Sequence, residues 1–88
     1  MSKFEKLLIQ ILHCSSDTNI LFSDLRGLLR KLGFVERIRG SHHLFRKEDV
    51  EERINLQKDG NKAKPYQVKQ VRNIISKYNF GEKNDEQI

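Results

Sequence analysis

The sequence predicts an α+β fold in which helices cover one face of a small three-stranded antiparallel sheet. Three observations carry that expectation. Apolar residues recur at helical spacing in three stretches, polar and apolar residues alternate at a period of two in the middle of the chain, and a Gly-Ser pair separates two of the alternating runs. At 88 residues the chain makes one domain with a single thin core, so a metabolic enzyme with a deep pocket is not expected.

The elements follow in order. Phe4, Leu7, Leu8, Ile11 and Leu12 fall on one helical stripe, and Ser2 with Glu5 three residues later has the form of a capping box. The polar cluster 15–19 ends that helix. Ser23 is then the expected cap of a second one, with Leu25, Leu28, Leu29 and Leu32 inward and Gly33 in the left-handed position that closes a helix. Residues 34–39 and 42–47 read as strands joined by a tight turn at Gly40-Ser41. The acidic residues Glu48, Asp49, Glu51 and Glu52 read as a link. A third strand over 53–57 has Ile54 and Leu56 on one face and Arg53, Asn55 and Gln57 on the other. Residues 58–62 read as a polar turn. Pro65 suits the first turn of a last helix, whose buried stripe is Val68, Val71, Ile74, Ile75 and Tyr78. The tail from Gly81 is polar and expected to fray. With helices on one side, the other sheet face stays open to solvent and ligand.

The charge points outward from that fold to a polyanion. Lys and Arg number 17 against 12 acidic residues, a net charge of +5. Across residues 26–47 Arg26, Arg30, Lys31, Arg37, Arg39, Arg46 and Lys47 are answered only by Glu36, and Lys58, Lys62, Lys64, Lys69, Arg72 and Lys77 form a second basic run. An ordinary solvated surface is the other reading of the same charges. Cys14 is the only cysteine, which rules out an intramolecular disulfide, fits a reducing cytoplasm and suits a small apolar residue on its helix. The apolar stretch 7–12 is too short to span a membrane and nothing marks the chain for export.

The run Arg39-Gly40-Ser41-His42-His43-Leu44-Phe45-Arg46 is the chemical centre of the sequence. Histidine exchanges protons near neutrality, and arginine suits phosphate. Successive strand residues point to opposite faces, so only one imidazole can face the ligand side. Parity groups His42 with Leu44 and Arg46, and His43 with Phe45. Because Arg46 belongs in water, His42 is assigned to the open face and His43 to the helices, which leaves Leu44 in need of cover. The same parity makes the pair a poor chelate, and no carboxylates stand at ligand spacing, so no metal site is expected. RNA cleavage needs a base for the ribose 2′-hydroxyl, an acid for the leaving oxygen and positive charge near phosphorus. His42 can carry the proton, with Arg39, Arg46 or a lysine near the last helix supplying charge. Tyr66 and Gln67 read either as phosphate contacts at a helix start or as capping and surface residues.

The segments Leu32-Gly33-Phe34, Arg39-Gly40-Ser41-His42-His43-Leu44-Phe45 and Lys64-Pro65-Tyr66-Gln67-Val68 resemble those of the HicA family of bacterial and archaeal toxins, over about residues 22–78. The resemblance implies a fold like the double-stranded RNA-binding domain, α-β-β-β-α, with an additional N-terminal helix here. It implies an endoribonuclease that cleaves messenger RNA and so stops translation, the toxin of a type II toxin-antitoxin system. It also implies that the histidine of the Gly-Ser-His motif, His42, is catalytic, and that a HicB-type antitoxin binds over it. The chain departs from the family in its opening helix and in having Lys64-Pro65-Tyr66-Gln67 where many members carry a second histidine.

The expectations are thus a single HicA-like domain over 1–88, with an N-terminal extension at 1–21, a core at 22–80 and a tail at 81–88. His42 is the expected catalytic residue, and Arg39, Ser41, Arg46 and Lys64 are expected to bind RNA. Gly40 and His43 are expected to be structural, and no metal, cofactor or membrane is expected. The alternatives are a domain of the same shape that binds RNA without cutting it, and a protein-interaction domain whose basic face meets an acidic partner.

Overall fold

The computed structural model describes residues 3–13 and 17–78. The opening helix α1 (Lys3–Leu12) buries Leu7 and Ile11, with Phe4, Leu8 and Leu12 packed against the same core. The expected capping box at Ser2, the packing of Cys14 and the tail from Gly81 lie outside the described residues. α1 packs against α2 (Phe22–Lys31) and α3 (Pro65–Tyr78). Where it meets α2, a Cβ on Gly27 would lie 2.8 Å from the Phe4 ring. Glycine inside a helix costs about 1 kcal/mol against alanine, and here it seats the Phe4 side chain.

α2 starts one residue before the expected cap, at Phe22, with Leu21 as the cap residue and no side-chain capping bond. Backbone pairing takes the place of Ser23. The Phe22 N–H donates to the Asn61 carbonyl (3.0 Å) and the Ala63 N–H to the Ile20 carbonyl (2.9 Å), so the chain enters α2 as a strand partner of 61–63. Burial of Phe22 fixes that entry. At the other end Gly33 adopts φ +102°, its N–H bonds the Arg30 carbonyl, and the Phe34 N–H bonds the Leu29 carbonyl. This is the Schellman closure expected of a glycine there.

The sheet runs β1 (Val35–Arg39), β2 (His42–Lys47), β3 (Val50–Leu56) in that spatial order, all antiparallel. β3 is longer than the alternation predicted: Glu48 and Asp49 alone make the turn, and Glu51 and Glu52 lie in the strand rather than in a link. The pairing shifts register between Phe45↔Ile54 and Lys47↔Val50, an irregularity that hides the start of β3 from a period-two reading. Glu52 accepts hydrogen bonds from Lys77 Nζ (2.8 Å) and Tyr78 Oη (2.7 Å). These bonds hold its carboxyl down at about 2.

The polar stretch after β3 is a small hairpin, β4 (Lys58–Asp59) and β5 (Lys62–Ala63), rather than a plain turn. Its reach to residues 20–22 is a tertiary pairing that polar composition does not reveal. α3 carries the expected stripe, with Val68, Val71, Ile74 and Ile75 buried. Gln67 in its first turn is buried too, so the phosphate-contact and surface readings of that residue do not hold, while in one orientation its amide oxygen accepts from the Lys64 N–H (3.4 Å), the capping contact. With its amide turned to satisfy both groups, its oxygen accepts from the Gln57 N–H (3.0 Å) and its nitrogen donates to the Gln57 carbonyl (3.2 Å). A side-chain amide thus continues the ladder at the outer edge of the sheet.

Behind α1, the order α-β-β-β-α is that of the double-stranded RNA-binding fold. Phe45, Ile54 and Leu56 on the sheet meet Leu25, Leu28 and Leu29 of α2 and Val68, Val71 and Ile75 of α3 in one core. No helix among the described residues is long and apolar enough to cross a membrane.

Candidate nucleic-acid interface

The β1–β2 hairpin presents the site. Gly40 takes φ +59°, a backbone state that L residues rarely adopt, while the space around it is open. Conformation rather than crowding therefore calls for glycine. The two-residue turn sets Arg39 opposite His42, Arg37 opposite Leu44 and Val35 opposite Arg46. Alternation then sends these side chains to the open face and sends His43 and Phe45, opposite Ile38 and Glu36, to the helix side. The parity assignment of the two histidines agrees with this geometry.

His42 is exposed, and its Nδ1 lies 3.2 Å from Asn55 Oδ1 on β3. Beside it, Gln57 Nε2 donates to Ser41 Oγ (3.2 Å). The hairpin tip is thus tied at two successive residues to β3 and to the residue that follows it, and Gln57 is in turn held by Gln67 of α3. Leu44, between its register partners Arg37 and Asn55, is half-buried rather than exposed.

His43 has a different environment. Its side chain is 12% exposed, its Nδ1–H donates to Glu36 Oε2 (2.8 Å), and its ring packs edge-on against Phe22 with centroids 4.9 Å apart. Arg26 of α2 binds the same carboxylate through Nε (2.6 Å) and an Nη (2.9 Å). The Arg26 guanidinium, aided by His43, holds the Glu36 carboxyl below the usual carboxylate range against the opposing effect of burial. Bonding to Glu36 likewise raises Arg26. This trio joins α2, β1 and β2 beneath the sheet.

Pairing divides the basic residues. Arg26 serves Glu36, Arg72 binds both oxygens of Asp17 (2.9 and 3.0 Å), and Lys77 serves Glu52. Arg37, Arg39, Arg46 and Arg53 are exposed and make no ion pair among the described residues. All four lie on the face that carries His42, Arg53 sharing parity with Asn55 on β3. Arg53, Asn55 and Gln57 were not among the sequence candidates, and Arg37 entered only as part of the basic run, although the alternation over 53–57 and the shared parity of Arg37 and Arg39 pointed to them. Lys64 lies off the sheet, half-buried ahead of α3, where its carbonyl accepts from the Gln67 and Val68 N–H groups. The structure brings Arg39, Ser41, His42 and Arg46 together on the hairpin and leaves Lys64 in a separate element.

His42 and His43, on opposite faces, cannot share one ion. No group of three or more His, Cys, Asp or Glu suited to a metal occurs among the described residues.

Comparison with protein-family models matches residues 22–76, more than half of the chain, to the family described as HicA toxin of bacterial toxin-antitoxin. The chain belongs to the HicA toxin family. The matched span begins at the first residue of α2 and ends within α3, so it encloses the whole sheet and the hairpin with His42, while α1 stands before it. No curated protein and no solved structure matches the chain. Membership of the HicA family gives the chain the toxin role in a toxin-antitoxin pair.

Proposed function

We propose that this HicA-family toxin is a metal-independent endoribonuclease that cleaves messenger RNA on the open face of its sheet, with His42 as the proton carrier. The observation that carries the reading is an exposed imidazole on a face with four arginines that have no acidic partner among the described residues. Arg39 stands directly across from His42, and Arg37, Arg46 and Arg53 extend the positive face along the strands. Phosphates bound there set the ribose over the ring.

In the cleavage step His42 takes the proton of a 2′-hydroxyl as that oxygen bonds to the adjacent phosphorus. The bond from phosphorus to the 5′-oxygen breaks, and that oxygen gains a proton from His42 or from water. Arg39 and Arg46 are suited to the charge that builds on the phosphoryl oxygens. Ser41, tied to Gln57, and Gly40 shape the turn that presents the ring, and Lys64 is a further phosphate contact at the start of α3. A HicB-type antitoxin would silence the toxin by covering His42, and the expected compartment for both is the cytoplasm. The domain division of a 22–80 core with a 1–21 extension belongs to the same reading.

The test is RNA cleavage by purified protein with chelator present. The parent shortens the RNA, and His42→Ala lowers the rate about 10³-fold, in the range for loss of a general acid–base group. Cleavage by His42→Ala at the parent rate overturns the assignment. RNA that is bound but left intact by the parent favours the non-catalytic binding module.

A further inference from the structure

Arg53 and Asn55 of β3 share the open face, and Asn55 and Gln57, the residue just past the strand, both reach the hairpin: Gln57 bonds Ser41 and Asn55 bonds His42. We propose that Asn55 is the positioning residue for His42, its amide oxygen accepting the Nδ1–H and so leaving Nε2 as the unprotonated nitrogen that faces RNA. The inference rests on the reading of His42 as the proton carrier and adds which nitrogen does the work.

The argument is one of donors and acceptors. A neutral imidazole has one N–H and one lone pair, and the partner of one nitrogen decides the state of the other. With Oδ1 toward the ring at 3.2 Å, Asn55 can only accept, so the proton sits on Nδ1. An exposed ring with no such partner turns freely and exchanges tautomers. The bond fixes both its angle and its basic nitrogen at a site otherwise lined by arginines, none of which can accept a proton. The acceptor sits on a well-held element, because Leu44↔Asn55 pairing and the Gln67–Gln57 contact secure β3 on either side of the site. Asn55 touches no reacting atom in this scheme, so its effect falls on turnover and not on RNA binding.

The experiment pairs kinetics with nitrogen NMR of the histidine rings in the full chain. In the parent, His42 is expected as the Nδ1–H tautomer. Asn55→Ala should lose that preference and lower kcat about tenfold, with KM within twofold of the parent. Asn55→Asp, which keeps an acceptor oxygen, should retain the Nδ1–H tautomer and recover most of kcat. A parent ring protonated at Nε2, or an Asn55→Ala protein with parental kcat, overturns the positioning role while loss of cleavage in His42→Ala leaves the functional reading standing. Parental cleavage by His42→Ala overturns both. A change in KM alone for Asn55→Ala also overturns the proposal, because it makes Asn55 an RNA contact.

Discussion

His42 and His43 are neighbours in sequence and differ in nearly every physical respect. One is exposed, bonded to a neutral amide at 3.2 Å, and shares its face with arginines that make no ion pair among the described residues. The other is almost covered, hydrogen-bonded to a carboxylate at 2.8 Å that Arg26 also grips, and pressed edge-on against Phe22. The contrast arises from the pleat of β2, which turns adjacent residues to opposite sides. It teaches that identical side chains one position apart can be divided between solvent and a buried ion-pair cluster, and that a two-residue turn decides which is which. Moving the turn by one residue would exchange their faces.

The sharpest way to break the comparison is to delete each ring in turn. Beside the loss of cleavage already described, His42→Ala should leave unfolding free energy within about 0.5 kcal/mol of the parent, as surface substitutions do. His43→Ala should cost about 2 kcal/mol in denaturant unfolding, since it strips a donor from a largely buried carboxylate and opens space beside Phe22. It should still cleave at temperatures where it is folded. A stable His43→Ala protein that cannot cleave would reverse the two roles.

Glu36 offers a second way, through pH. Its folded carboxyl titrates below the usual range, so its stabilising contribution is present in full above the ordinary carboxylate value and is lost as pH falls through the depressed one. Glu36→Gln should lower stability near neutrality by about 2 kcal/mol and flatten the dependence on pH below about 4.5, read from melting temperatures. An unchanged acid limb would mean that the trio under the sheet is not a structural clamp.

On the open face, Arg39→Ala and Arg53→Ala should each weaken RNA binding several-fold. Each should also reduce the slope of log affinity against log salt by about 0.7, the value for one contact to a single strand. Arg72→Ala, whose guanidinium is bound to Asp17, should leave that slope unchanged. Gly40→Ala should be the mildest of these changes, about 1 kcal/mol in stability from forcing φ +59° on a residue with a Cβ. Its fall in cleavage should follow the loss of a fixed hairpin, with RNA affinity preserved.

Much of this is legible in the sequence. The stripe of α3, the glycine closure of α2 and the parity of β2 are local facts, fixed by periods of 3.6 and 2 and by the φ preference of glycine. The elements that escaped were those whose partners are distant in sequence. Ser23 has the chemistry of a cap, yet pairing of 20–22 with 61–63 moved the helix start. Gln67 has the composition of a surface residue, yet burial against the backbone of Gln57 makes it part of the sheet edge. The basic runs also overstated the site: Arg26, Arg72 and Lys77 count toward the charge and face acids drawn from elsewhere in the chain.

The sequence by itself determined the order of elements, the hairpin at Gly40-Ser41 and the face on which each histidine stands, because backbone sterics and side-chain periodicity act within a few residues. Only the tertiary structure decided which charges are neutralised and which amide meets His42, because hydrogen bonds and ion pairs form between side chains that the fold brings within about 3 Å.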